Sequence, residues 1–144
     1  MEKFSDSLGT QLNITARSLR VALEKELSHL GITPSQWILL MALHEKDRQG
    51  QTELGRMVNQ DNATITRSLD KLQEMDLIVR AQDQGDRRAQ IVSLTPKGRT
   101  ACKEWNFIGQ AVNHRASKGL SAADKKKLLE MLAMIGNNLN GGSE

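Results

Sequence analysis

One cysteine among 144 residues, Cys102, leaves no partner for an intrachain disulfide. That excludes a disulfide-stapled secreted scaffold and suits a reducing compartment, so a cytoplasmic location is expected. No apolar run approaches the ~18 residues of a membrane-spanning helix. The opening stretch Met1-Glu2-Lys3-Phe4-Ser5-Asp6 lacks the apolar region of a secretory leader, and no membrane partner is expected. Catalytic constellations are missing as well: there is no nucleophile elbow, no glycine-rich phosphate loop and no pair of metal ligands. His29, His44 and His114 lie far apart without i, i+4 pairing, and Asp83 and Asp86 are not followed by a third acid at calcium-loop spacing. We therefore expect neither an enzyme nor a bound metal or cofactor. Cys102, a lone thiol on a helix, reads as buried packing rather than a redox sensor. Internal repeats and low-complexity segments are absent too.

What is present is a chain long enough for one domain with its own core. Charged residues make up 26% and hydrophobic residues 38%, with a net charge of +3. That balance permits a nucleic-acid partner without establishing one. Leu8, Leu12, Leu19, Leu23, Leu27 and Leu30 recur at helical spacing. They predict a long helix from about Ser5 to His29, stopped by Gly31. Thr33-Pro34 is an N-cap followed by proline at the first helical position. The helix it opens holds Trp37-Ile38-Leu39-Leu40-Met41-Ala42-Leu43 and is apolar nearly all round, as a central core helix is. Trp37 reads as a core anchor. Glu45 to Gln51 reads as a loop, and Thr52 to Asn59 as a short helix with Leu54, Met57 and Val58 inward. After the turn Gln60-Asp61-Asn62, a helix is predicted from about Ala63 to Met75. Leu77–Gln82 and Ala89–Leu94 read as a β-hairpin. Thr95-Pro96 repeats the cap-plus-proline signal and starts a helix to about Lys118. Ser121-Ala122-Ala123-Asp124 is a loose capping box for a last helix with Leu128, Leu132, Ile135 and Leu139 in one stripe. Asn140 to Ser143 reads as a frayed tail.

The helix from Ala63 to Met75 turns Ile65, Leu69 and Leu72 inward. Its opposite side presents Ala63, Arg67, Asp70 and Lys71, with Thr64 and Thr66 on the flanks. Small polar residues at its start, Asn62, Ala63, Thr64 and Thr66, allow close approach to a major groove. Their hydroxyls and amide can bond base edges, and Arg67 can fork onto a guanine. With the short helix before it, this forms a helix-turn-helix, and the hairpin behind makes it a winged helix. The hairpin tip Asp83-Gln84-Gly85-Asp86-Arg87-Arg88 carries two adjacent arginines. At the tip of a wing, Arg87 and Arg88 can reach a minor groove, where a narrow groove concentrates negative potential. Asp86 is expected to hold Arg88 by a side-chain ion pair. Charge alone does not make this case. From Glu53 to Arg99 eight basic residues stand against seven acidic ones. A winged helix can also serve as a protein-interaction module without DNA contact, and the arginines of the wing argue for DNA instead.

Several stretches are specific. Gly31-Ile32-Thr33-Pro34-Ser35-Gln36-Trp37, Thr52-Glu53-Leu54, Asn62-Ala63-Thr64-Ile65-Thr66-Arg67 and Leu72 to Arg80 resemble the MarR/SlyA family of bacterial transcriptional regulators. Asp86-Arg87-Arg88, Leu94-Thr95 and Gly98 are similar to its wing signature. The similarity covers nearly the whole chain. It implies an obligate homodimer on near-palindromic double-stranded DNA, a repressor more than an activator, often released by a small aromatic or anionic effector. The family's effector cleft lies near the helix of Trp37. The resemblance also implies that Arg88 is the minor-groove residue. Asp76 departs from the pattern, which has glycine there; aspartate tolerates a left-handed helix end at some cost, and its charge lies near the DNA face. The oxidant-sensing N-terminal cysteine of some members has no counterpart.

The resulting expectation is a mainly α protein, a winged helix-turn-helix with a small β-hairpin wing and N- and C-terminal dimerisation helices. Residues 32–99 would form the DNA-binding lobe, and 1–31 with 100–140 the helical dimerisation lobe of a single domain. The apolar stripes of the end helices cannot be satisfied within one subunit, and a two-fold interface would bury them.

Overall fold

The computed structural model describes residues 1–141. A 3-10 turn at Phe4–Asp6 precedes α1 (Leu8–Leu27), which Ser7 caps by accepting the Thr10 N–H. A second 3-10 turn, Ser28–Leu30, ends at Gly31, whose φ of 73° is the left-handed stop read from the sequence. Next come α2 (Pro34–Glu45), β1 (Gln49–Gly50), α3 (Gln51–Met57), α4 (Asn62–Glu74), β2 (Ile78–Gln82) and β3 (Gln90–Leu94). Two further helices follow, α5 (Pro96–Ala116) and α6 (Ala122–Asn140). Gly142 and Ser143 of the expected tail lie outside the described residues; Asn140 closes α6 rather than fraying from it. No described helix is long and apolar enough to cross a membrane.

The chain divides into two compact units, Met1–Val112 and Asn113–Glu144. In the first, α2 is the central helix. Its start is a full capping box: the Thr33 hydroxyl accepts the Gln36 N–H, and the Gln36 side chain accepts the Thr33 N–H. Leu39, Leu40 and Leu43 of α2 are wholly buried with Leu27, Leu54, Ile65, Leu69, Leu72 and Ile78. Each such side chain stabilises the fold by about 1.5–3 kcal/mol relative to exposure. Cys102 belongs to this core, its thiol donating to the Leu40 carbonyl at 3.5 Å. Burial pushes that thiol up to about 11, so the nucleophilic thiolate is not formed at neutral pH.

Two local expectations change. Glu45 to Gln51 is not wholly loop, because Gln49 and Gly50 pair antiparallel with Val92 and Ile91. The sheet under the wing is therefore three-stranded, in the order β1-β3-β2. Gln49 is buried, and its side-chain amide donates to the Ala42 and Lys46 carbonyls at the end of α2. Asp47 accepts the backbone N–H groups of Leu94 and Arg48. Met57, expected inward, is 51% exposed. The inward positions of α3 are held by Leu54 and Gly55, both buried.

Asp76 has φ of 60°, the left-handed conformation that its place before Leu77 requires. Its carbonyl accepts the Thr95 hydroxyl at 2.6 Å, and that hydroxyl also accepts the Gly98 N–H. Gly98 lies so close to Leu77 that any Cβ would overlap the Leu77 carbonyl oxygen. In the second unit, Ser121 and Asp124 form a reciprocal capping box, and their hydrogen bonds hold the Asp124 carboxyl below its usual range. Leu128, Leu129, Met131, Leu132, Met134 and Leu139 of α6 are exposed on the single chain.

Candidate nucleic-acid interface

α4 is strongly two-sided. Ile65, Leu69 and Leu72 are buried as the spacing predicts, joined by Ser68. Asn62, Ala63, Arg67, Asp70 and Lys71 are exposed, and Thr64 and Thr66 are half-buried. Asp61 is the N-cap, its carboxylate accepting the Thr64 N–H at 2.8 Å and the Thr64 hydroxyl at 3.1 Å. The hydrogen bond from the Thr64 backbone chiefly, then that from its side chain, holds the Asp61 carboxyl below the usual carboxylate range.

The hydroxyls read from the sequence as base-reading groups are engaged within the protein. Thr66 donates to the Asn62 carbonyl at 2.8 Å and accepts from the Gln51 side-chain amide at 3.2 Å. Thr64 donates to Asp61. Arg67 makes only a long 3.5 Å approach to the Thr64 hydroxyl, and Lys71 enters none of the ion pairs among the described residues. Of the predicted contact residues on α4, Asn62, Arg67 and Lys71 are exposed and have no close side-chain partner among the described residues.

The wing pairs β2 with β3 in register from Ile78–Leu94 to Gln82–Gln90. Its tip is shaped by carboxylates bonding forward to backbone, as Asx turns do. Asp83 accepts the Gly85 N–H, and Asp86 accepts the Arg88 N–H at 3.0 Å. The side-chain ion pair expected between Asp86 and Arg88 is not among the described ion pairs. Asp86 holds the Arg88 backbone instead, and the guanidinium stays exposed. The Arg87 carbonyl accepts from Gln82.

A groove of about 430 Å³ joins the two elements. Asn62 and Thr66 of α4 line it with Arg88, so the structure brings these three predicted residues to one opening. Ala63, Thr64, Arg67, Lys71, Asp86 and Arg87 lie outside that lining. The rest of its lining escaped the sequence reading as site residues, among them Gln51 at the start of α3, Arg80 of β2 and Gln90 of β3. For Gln51 the available signal was its place fifteen residues before Thr66, which carries no local periodicity.

A second cleft, about 510 Å³, lies between α1, α2 and the turn before α4. Leu19, Arg20 and Leu23 form one wall and Pro34, Trp37 and Ile38 another; Gln60, Asp61 and Thr64 close it. Trp37 Nε1 and Gln60 Oε1 are both buried without a hydrogen-bond partner. Arg20 donates to the Ser35 hydroxyl at 3.1 Å and stands 3.6 Å from Glu24.

Residues 32–89 match the model of the MarR family. Among solved structures, the chain is similar to the transcriptional regulator PA3341, at 31% identity over 94% of this chain and 100% of that one, with a TM-score of 0.83. A probable transcriptional regulator from Pseudomonas aeruginosa is 29% identical over 92% and 99% of the two chains, with a TM-score of 0.82. A MarR variant from E. coli, solved in complex with operator DNA, shares the fold at 24% identity over 94% and 99%, with a TM-score of 0.79.

Proposed function

Because this chain belongs to the MarR family of transcriptional regulators, with a winged-helix DNA-binding fold, we propose that it is a homodimeric, sequence-specific repressor of a near-palindromic operator in the cytoplasm. Residues 32–99 form the DNA-binding lobe, and 1–31 with 100–140 the dimerisation lobe. α4 enters the major groove by its first turns. Asn62 and Arg67 read base edges there, and Ala63 with the methyls of Thr64 and Thr66 meets thymine methyl groups, which need no free hydroxyl. Lys71, a turn further along, neutralises a phosphate. Arg88, assisted by Arg87, enters the adjacent minor groove, and Asp86 holds the turn that presents it. Two subunits place their α4 helices in successive major grooves, ~34–36 Å apart.

The observation that carries this reading is the shared groove, which sets Asn62 and Thr66 beside the wing arginine on one open face. Release by a small aromatic or anionic effector fits the cleft beside α2, where Leu19, Leu23, Trp37 and Ile38 give an apolar lining with Arg20 alongside. The test is selection of duplexes from fragmented genomic DNA by the full chain, followed by a gel shift. Enrichment of a near-palindrome, bound as a dimer, is expected. A folded protein that retains no DNA at low salt would instead mark a protein-interaction module.

A further inference from the structure

The wing is anchored through β3, which pairs with β1 at Ile91 and Val92, and its register against the recognition helix depends on what joins β2 to α4. Arg80 ties the two together. It sits on β2 opposite Val92 and reaches back to α4. Its Nη2 donates to Asp70 Oδ1 at 2.6 Å, and its Nε donates to Gln73 Oε1 at 2.9 Å. Asp70 and Gln73 are three residues apart and so adjacent on the helix surface. A planar guanidinium held through two nitrogens by two acceptors has little freedom to rotate. The Arg80 side chain is only 17% exposed, whereas that of Asp70 is 55% exposed. Arg80 also lines the groove that contains Asn62, Thr66 and Arg88.

We propose that Arg80, held by Asp70 and Gln73, is a positioning residue that fixes the wing against the recognition helix, so that α4 and Arg88 meet one duplex in a set register. The proposal rests on the DNA-binding reading above. It assigns Asp70 a purpose that charge counting cannot: an exposed carboxylate on the recognition helix repels DNA, yet here it anchors the wing. Two other roles for Arg80 make different predictions. A direct phosphate contact weakens every DNA sequence alike and flattens the salt dependence. Simple electrostatics says that loss of the Asp70 charge tightens binding to every duplex.

The full chain is titrated at fixed salt by fluorescence anisotropy against two duplexes. One is selected by the parent protein from a random-sequence library, and the other is its scrambled counterpart of equal length. Asp70→Asn is expected to weaken binding to the selected duplex by roughly five- to tenfold, in the range of contact-mediated couplings, with no weakening on the scrambled one. Asp70→Glu, which keeps the carboxylate, restores most of the loss. Arg80→Gln behaves as Asp70→Asn does, and combined with Arg88→Ala it binds within about twofold of Arg88→Ala alone, since contacts acting through one element are not additive. Undiminished binding of the selected duplex by Asp70→Asn overturns the proposal, as do multiplying losses in the double variant. Equal weakening on both duplexes with a flatter salt slope makes Arg80 a phosphate contact. If Arg80→Gln fails to fold, the two Asp70 variants, altered at an exposed position, decide the matter. A parent that selects no duplex removes the DNA reading itself, whereas a parent that selects one while Asp70→Asn binds normally removes only the clamp.

Discussion

Arg67 and Lys71 lie one helical turn apart on the same exposed side of α4 and are expected to have different tasks. Arg67→Ala should lose discrimination between operator and random DNA, by about 1–3 kcal/mol per lost base contact. Lys71→Ala should weaken all sequences alike and reduce the salt slope by about one unit per contact. Competition titrations across a salt series separate the two, and identical specificity profiles would refute the assignment. Asp86→Ala sets two effects against each other. Removing a negative charge favours DNA, while losing the bond to the Arg88 N–H loosens the turn that presents the guanidinium. Weaker operator binding is expected, and tighter binding at fixed salt would contradict it. Asp76 was readable as a left-handed position because the family pattern has glycine there, and its φ of 60° agrees. The Asp86 geometry was not readable: two residues apart, a carboxylate can bond either the arginine head or its backbone N–H, and sequence does not separate these.

At the scale of elements, α2 was legible from its Thr33-Pro34 start and its continuous apolar run, and α4 from the spacing of its three inward residues. β1 was not, since two residues held by backbone pairing to β3 display no alternation. The groove was legible only in part, because Gln51 and Arg80 reach it through contacts distant in sequence. Gly98 carries a strict steric demand. Gly98→Ala should destabilise the fold by about 1–3 kcal/mol or more, as overpacking does, because the new Cβ meets the Leu77 carbonyl oxygen. Thermal unfolding checks this, and an unchanged midpoint would contradict the packing described. The start of α4 has a pH signature. The folded Asp61 carboxyl titrates below its unfolded value, so its capping contribution is present above the ordinary carboxylate range and lost as pH falls through the folded pKa. Asp61→Asn, which keeps a capping oxygen but cannot titrate, should flatten that acid limb in denaturation curves collected between neutral and acidic pH.

At the level of the whole molecule, the end helices present apolar residues outward. Leu8, Ile14, Leu19 and Val21 of α1 are exposed on the single chain, as is most of the α6 stripe. Exposure on this scale marks an interaction surface. We expect a dimer at any usable concentration, and replacement of Leu132 and Ile135 by charged residues should give monomers or insoluble protein. Sedimentation of the unaltered chain as a well-folded monomer would end that expectation.

α4 and the wing are expected to act together on one duplex, twice per dimer. Chemical footprinting on the selected operator tests it most directly. Two symmetric sets of major-groove protections about one helical turn apart are expected. Each set should be flanked by a minor-groove protection that disappears in Arg88→Ala while the major-groove set remains. A single unsymmetrical set, or flanking protections that persist in Arg88→Ala, would contradict it.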